Sequence, residues 1–476
     1  MLFLAAEAVP FMKVGGLGDV AGTLPRALRK LPEAPDVRLV LPFHGNIDQG
    51  KFKIKPVAAF TVAHKDGPKQ AQAFETQVEG LPTYLISGEA IPPKNPVYSG
   101  DDLLDGKKFV FFSLAALELA RTLNWQPDVV HAHDWHTAAA VYCLKLFRES
   151  DIYYCHTATL LTVHNLPFLG NGAGPALWAY GLPSVKDSRL PGWADHLPLP
   201  LGLYAADKIN SVSPGYTAEM LTPEFGSGLQ DFLKTRKDDL VGILNGLDMQ
   251  AWNPETDSEI SYKYNTNTLS DRYQNKLMIQ GINGFKVDRK IPLLCIISRM
   301  DQQKGIDLAL KALRQLAGQG WQAVILGTGD AALEQQARQL MIDYPEKVKT
   351  FIDFDTKLAR QLYAGADMIL IPSRYEPCGL TQMIGMRYGC VPVARATGGL
   401  MDTIFDQNRN KKGTGFLFHQ ADARALAQTI QRALIFYSDQ RIWRGIQLRG
   451  MRQDFSWQNS ATQYLTLYHQ LVEERQ

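Results

Sequence analysis

Residues 292–327 read PLLCIISRMDQQKGIDLALKALRQLAGQGWQAVILG, and the rhythm of this stretch decides the fold. PLLCIIS (292–298) is a short continuous apolar run, as expected of a strand buried on both faces. IDLALKALRQLA spaces its apolar residues for a helix, and QAVILG (322–327) is a second apolar run. KTFI (349–352), MILIP (368–372) and VPVAR (391–395) continue the alternation, with helix-like segments such as DAALEQQARQLM between them. Strands separated by helices of this length predict a parallel, doubly wound sheet. The first half repeats the theme with FLAA, VRLVLP, DVVHAH, LLTVH and KINSVS. A chain of 476 residues is too long for one ordinary core. The α/β reading is therefore two Rossmann-like doubly wound domains facing a central cleft, the default ligand site in such a pair. The Asn-, Gly-, Asp- and Pro-rich segment LNGLDMQAWNPETD (244–257) marks the hinge, which gives domains of 1–245 and 246–455.

Composition narrows the function classes. Fifty basic against 48 acidic residues leave a formal charge of +2, which argues against a protein built to coat nucleic acid. No apolar run approaches the ~20 residues needed to span a bilayer. MLFLAAEAVPF lacks a basic leader and meets Glu7 and Pro10 early, so it reads as a first core strand rather than a signal peptide. Five scattered cysteines without CxxC spacing fit a reduced, cytoplasmic setting.

Several stretches carry chemistry. Lys13-Val-Gly15-Gly16-Leu-Gly-Asp19 joins the first strand to a helix. Its glycines allow close backbone approach, and the new helix would point free N–H groups outward. A lysine there opposes the helix dipole, which a bound anion would explain; a plain glycine-rich turn with a solvated lysine is the alternative. Ser298-Arg299-Met-Asp-Gln-Gln-Lys304 repeats the logic in the second half, as an anion grip or as two surface charges. Two such sites, one per domain, suggest a nucleotide diphosphate bridged by both; Arg299 suits a bidentate phosphate contact and Lys304 a point charge. Glu376 follows the strand MILI at the carboxyl edge of the sheet, where ligands bind, although a helix-start glutamate would also stabilise a dipole. Thr397-Gly398-Gly399 is one more glycine-rich strand-to-helix turn. In His131-Ala-His133-Asp134-Trp135-His136 the spacing does not aim all donors at one point, so a sugar site is favoured over a metal site. Trp135 would be its apolar wall, with Asp134 and His136 as hydrogen-bonding groups. His164-Asn165 ends the next strand at the same edge. A lone Asp353-Phe-Asp355 is weak evidence for a metal pair.

Assembled in order, KVGGLGDV, HAHDWH, TVHNL, VSPGY, ILNGLD, SRMDQQKG, GTGD, PSRYEPCGLTQ and TGGLMDT closely resemble the bacterial glycogen synthases and starch synthases of the GT-B glycosyltransferase class. The resemblance runs from near residue 1 to about residue 405. It implies transfer of glucose from a nucleotide sugar, usually ADP-glucose in bacteria, to the non-reducing end of an α-1,4-glucan with retained configuration. No metal or other cofactor is implied; the partners are the glucan and the nucleotide sugar, with no nucleic acid and no membrane. By the same resemblance Lys13, Gly15 and Gly16 meet the nucleotide phosphates, while Arg299 and Lys304 hold the diphosphate and stabilise it as it leaves. Asp134 and His164 contact the transferred glucose, and Glu376 its hydroxyls, beside Cys378, Gly379 and Leu380. Thr397, Gly398 and Gly399 add backbone donors, Asn245, Ser213 and Gly327 line the nucleotide-sugar site, and Phe354 stacks on the base. Tyr98, Trp135 and Asp19 fall on the acceptor side. The final FSWQNSATQYLTLYHQLVEE is implied to cross back, so that residues 456–476 pack on the N-terminal domain.

The chain departs from its relatives in three places. The position eight after Glu376 is Ile384, where related retaining enzymes carry a second glutamate. Phe354 replaces a tyrosine of some relatives, and the following LARQ lacks a common histidine, which leaves the nucleobase open. The competing readings are a same-fold enzyme using UDP-glucose or a small acceptor, a sugar-nucleotide epimerase, and a non-catalytic glucan-binding homologue.

Overall fold

The computed structural model describes residues 1–92, 96–408 and 412–475. Asn95 of the NPVYSG segment lies outside them. The chain forms two compact units, Met1–Gly246 with Trp457–Gln476, and Leu247–Ser456. The crossings thus fall one residue after each expected boundary.

The strands of the first unit are β1 (Leu2–Leu4), β2 (Arg38–Pro42), β3 (Lys55–Val62), β4 (Lys69–Val78), β5 (Leu81–Gly88), β6 (Val129–His133), β7 (Ala158–Val163), β8 (Lys208–Ser211) and β9 (Leu240–Gly242). They form one sheet in the order β3-β4-β5-β2-β1-β6-β7-β8-β9. From β5 to β9 every pairing is parallel, with Leu2 of β1 opposite both Arg38 and Val130. β3-β4 and β4-β5 are antiparallel, an antiparallel edge on the otherwise parallel, doubly wound sheet. KQAQAFETQV in β4 alternates exposed and buried positions, the period-two pattern of a strand with one wet face. A two-residue turn with positive φ at Glu79 and Gly80 returns it into β5. The helix Trp457–Glu473 packs on the helix Gly16–Arg29 within this unit. Trp457, Tyr464, Leu467, Tyr468 and Leu471 join Leu17, Val20, Leu24 and Leu28 in one apolar core. Two polar contacts fix its register: His131 Nδ1 lies 2.8 Å from the Tyr468 hydroxyl, and Asn210 Nδ2 donates to the Tyr464 hydroxyl at 2.7 Å.

The second unit carries β10 (Leu293–Ile297), β11 (Gln322–Leu326), β12 (Val348–Phe351), β13 (Met368–Ile371), β14 (Val391–Arg395) and β15 (Phe416–Phe418). Its sheet runs β12-β11-β10-β13-β14-β15 and is parallel throughout. The order reverses direction between β10 and β13, so the loops after these strands leave the carboxyl edge side by side. Those loops are 298–305 and 372–380.

Candidate active site

In the second unit, backbone contacts stitch the loop after β10 to its neighbours. Met300 N–H donates to Thr328 O at 2.9 Å, and Asp330 N–H to Met300 O at 2.7 Å. Two glycines permit this closeness. A Cβ on Gly327 would stand 1.8 Å from the Ser298 carbonyl oxygen, and one on Gly305 (φ 65°) 2.1 Å from that of Pro372. From the loop after β13, Arg374 forks onto Asp307 at 2.8 and 2.9 Å and donates to Gln302 O at 2.7 Å. The two loops therefore form one scaffold.

On that scaffold Lys304 Nζ donates to both oxygens of Glu376, at 2.8 and 2.7 Å, and Ser373 Oγ donates to Glu376 Oε2 at 2.8 Å. The sequence reading gave Lys304 and Glu376 separate duties; the fold makes them an ion pair. An ammonium has three N–H donors, so one remains for a ligand. Arg299 is the outlying charge, its side chain 61% exposed, with Asp301 Oδ2 at 3.3 Å and Gln303 Oε1 at 3.4 Å. The pair is neutral as a unit, which leaves Arg299 as the accessible cation for an anionic group. Gly399 N–H, expected as a free donor, is taken by Glu376 O at 3.1 Å; this bond ties the turn after β14 to the turn after β13. Thr397 precedes the helix Gly398–Thr403 as its N-cap residue, and Gly398 has φ 45°. Cys378 is buried, Gly379 has φ 73°, and Leu380 is the N-cap residue of the helix Thr381–Arg387. Phe354, just beyond β12, is 80% exposed and presents its ring to solvent. Its flanking aspartates bond backbone: Asp355 Oδ1 caps the helix Thr356–Gly365 through Leu358 N–H, and Asp353 Oδ1 accepts from Phe354 N–H.

In the first unit the glycine-rich turn differs from expectation. The helix Gly16–Arg29 begins after Gly15 with no side-chain cap, and Glu7 holds the two backbone N–H groups just before it. Val14 N–H bonds Glu7 Oε2, and Gly15 N–H reaches both Glu7 oxygens at 3.1 Å. Lys13 pairs with Asp19 at 2.7 Å and keeps its side chain 42% exposed. Tyr98 donates its hydroxyl to Glu7 Oε1 at 3.3 Å, and its ring lies 5.2 Å from that of His136. Burial holds the Glu7 carboxyl above its usual range, against the pull of the two backbone N–H bonds. Sequence reasoning missed this residue as a site element, although an acid inside MLFLAAEAVPF is the signal that could have found it.

At the ends of β6 and β7, Asp134 has φ 54°, a left-handed conformation that costs a non-glycine residue energy. Its Oδ1 accepts from His164 N–H at 2.7 Å and Asn165 N–H at 3.3 Å, joining the two strand ends. Burial pushes Asp134 up to about 7 despite those bonds. Burial also lowers His164 and His136 to about 3, so both rings are neutral near pH 7. His164 Nε2 lies 2.9 Å from His133 Nδ1, and His131 bridges Tyr468 and Thr162. Among the described residues no three His, Cys, Asp or Glu side chains come together to hold a metal. Trp135 is half-buried, edge-on to Phe109 at 5.1 Å. Ser213 is fully buried, and its Oγ accepts from Tyr216 N–H at 3.1 Å as the N-cap of the helix Pro214–Met220, a structural post rather than an exposed lining. Asn245 is also buried, and its Oδ1 takes no hydrogen bond from the described residues.

Comparison with known proteins agrees with this geometry. Residues 1–235 match the family model described as the starch synthase catalytic domain, and residues 282–443 that of glycosyl transferases group 1. The chain is 38% identical to a glycogen synthase of Geotalea daltonii, covering 100% of this chain and 99% of that one. It is 39% identical to a glycogen synthase of Thermotoga maritima, over 98% of each chain. Among solved structures it resembles the catalytic domain of starch synthase IV from Arabidopsis thaliana bound to ADP and acarbose, with TM-score 0.89, 30% identity and 99% of each chain covered. A sucrose-phosphate synthase of Thermosynechococcus elongatus, 18% identical with TM-score 0.62 over 99% of each chain, shares the fold. Two parallel-sheet Rossmann-like units of the GT-B class and full-length identity near 38% place this chain in the glycogen synthase family of hexosyltransferases.

Proposed function

We propose that this protein transfers glucose from ADP-glucose to the non-reducing end of an α-1,4-glucan, with the donor held by the second unit and the acceptor by the first. The observation that carries this reading is the cluster at the carboxyl edge of β10 and β13: an exposed Arg299 beside a Lys304–Glu376 pair with one ammonium N–H left over. Arg299 and Lys304 stabilise negative charge as the nucleotide diphosphate departs. Glu376 fixes Lys304 and accepts bonds from glucose hydroxyls. Within the first unit, neutral His164 and the carboxyl of Asp134 offer hydrogen bonds to a sugar.

Retention without a carboxylate nucleophile follows from front-face substitution. The bond from glucose C1 to the phosphate oxygen breaks, the bond from C1 to the acceptor O4 forms, and the acceptor proton passes to the departing oxygen. The exposed Arg299 and the one N–H that Lys304 keeps free of Glu376 meet the charge that develops at the leaving group, so we propose that no metal is required. Initial rates should be unchanged by 5 mM EDTA, and a chelator-sensitive rate restored by one divalent ion would overturn that statement.

The choice of ADP-glucose follows the similar starch synthase IV of Arabidopsis thaliana, which is bound to ADP. The exposed Phe354 ring accommodates another base as readily, so UDP-glucose is the second reading. Initial rates with each donor on one glycogen preparation, measured as nucleotide release and polymer growth, separate them. Release of neither nucleotide would sink both, and growth of a small acceptor alone would replace the polymer. We place the reaction in the cytoplasm; among the described residues no helix is long and apolar enough to cross a membrane.

A further inference from the structure

At the opposite end of the second unit's sheet lies a cavity of about 1070 Å³. Pro292 and Gln319, which line it, precede β10 and β11. The wall therefore forms at the amino edge of the strands, whereas Arg299, Lys304 and Glu376 follow the carboxyl ends. Its charged lining is one-sided: Arg272, Arg289, Lys290, Arg441 and Arg444, with no carboxylate among the lining side chains. Of the acids adjacent to these residues in sequence, Asp271 is exposed beside Arg272, while Asp439 and Asp288 are engaged by backbone. Asp439 Oδ1 accepts from Arg441 N–H at 3.0 Å, and Asp288 Oδ1 from Lys290 N–H at 2.8 Å.

The cations fall into two exposed groups on a rigid base. Arg441 and Arg444 stand three apart on the helix Gln440–Met451, hence on one face and close to its N-terminus, where positive charge opposes the helix dipole. Arg289 and Lys290 come from the loop before β10, with the Arg289 guanidinium 4.3 Å over the Tyr273 ring. Tyr273 is fixed by its hydroxyl, which donates to Gln440 at 2.5 Å. The base is the buried Arg272, whose guanidinium donates to the carbonyls of Tyr388 at 2.8 Å and Tyr363 at 3.2 Å. Four surface cations that line one hollow, with no carboxylate among its lining residues, repel one another, and an anion relieves that repulsion. Four cations suit a ligand with more than one anionic group, and the volume leaves room for its small polar body, with Gln319 and Ser438 for its hydroxyls.

We propose that this cavity is a second ligand site, separate from the transfer chemistry, which binds a sugar carrying two phosphate groups. The test is calorimetry on the full-length protein at 0.15 M salt, with ADP saturating the donor site. The probes are glucose 1,6-bisphosphate, glucose 6-phosphate and glucose, which differ only in phosphate number. The bisphosphate is expected to bind saturably, the monophosphate at least tenfold more weakly, and glucose not at all. R441Q/R444Q changes two exposed side chains, and it should weaken the bisphosphate at least tenfold while leaving the ligand-free transfer rate and thermal midpoint unchanged. R289Q/K290Q should weaken it likewise. No saturable binding, equal affinity for mono- and bisphosphate, or unchanged affinity in R441Q/R444Q would each overturn the proposal. R441Q/R444Q decides the matter even where loss of the Arg289–Tyr273 contact perturbs the second variant.

Discussion

Removing the Lys304 ammonium has two consequences that different measurements separate. It withdraws a donor from the proposed leaving group, and it strands the buried Glu376 carboxylate, whose remaining side-chain donor is the Ser373 hydroxyl. Lys304→Ala is therefore expected to lower kcat at least ~100-fold, the size of a lost preorganised electrostatic donor. It should also lower the thermal midpoint, because a buried charge has lost its partner. Adding Glu376→Gln should restore the midpoint and not the rate; recovery of both would make the pair merely structural. Asp134 gives a pH-dependent counterpart. Its folded value of about 7 lies above the ordinary carboxylate range, so its protonated form is favoured by folding. That contribution is fully present below about pH 4 and is lost as pH rises through about 7. Asp134→Asn keeps an acceptor for His164 and Asn165 N–H and tolerates the left-handed backbone. Its thermal midpoint relative to wild type should thus rise between pH 5 and pH 8; a constant difference would show that Asp134 ionises normally. The strand-end positions of Arg299, Lys304 and Glu376 in the second unit, and of His164 in the first, were legible in the sequence because each parallel sheet delivers the residues after its strands to one edge. Glu7 and the Lys13–Asp19 pair were not, since a motif shows which groups are near in sequence and hides which neighbour neutralises them.

Loops that touch through backbone leave no room for a methyl group, which makes Gly327 a test of the scaffold rather than of the chemistry. The Ser298 carbonyl lies 1.8 Å from where its Cβ would be, and relief requires the whole loop after β10 to move, carrying Arg299 with it. Gly327→Ala is expected to cost about 1–3 kcal/mol, as overpacking does, and to raise KM for the nucleotide sugar more than it lowers kcat. A normal KM with lowered stability would confine the glycine to packing. The parallel strands were readable because burial on both faces demands uninterrupted apolar runs, as in LLCII and QAVIL. β4 escaped because one face is wet, so polar residues alternate with alanines and no apolar run forms; β3 is largely exposed and offers only the short run VAAF. β15 is three residues long, too short for any period to register.

The last seventeen-residue helix, Trp457–Glu473, belongs to the core of a unit whose other residues end at Gly246. No local pattern announces such a long-range assignment; amphipathicity says that a helix packs and leaves open on what, and the resemblance alone suggested the answer. Its energetic weight can be bounded. Trp457, Tyr464, Leu467, Tyr468 and Leu471 are all buried in that core. At roughly 1.5–3 kcal/mol for each large apolar side chain, their loss reaches the ~5–15 kcal/mol by which a typical domain is stable. Ending the chain at Ser456 should therefore leave the first unit unfolded or aggregated, seen as lost soluble yield. A finer probe avoids that collapse. Tyr468→Phe removes only the hydroxyl 2.8 Å from buried His131 Nδ1, leaving a polar ring atom without its partner. It should cost about 1–3 kcal/mol. A truncated chain that melts like the full one, or a Tyr468→Phe variant with an unchanged midpoint, would mean that the helix rests on the first unit without supporting it.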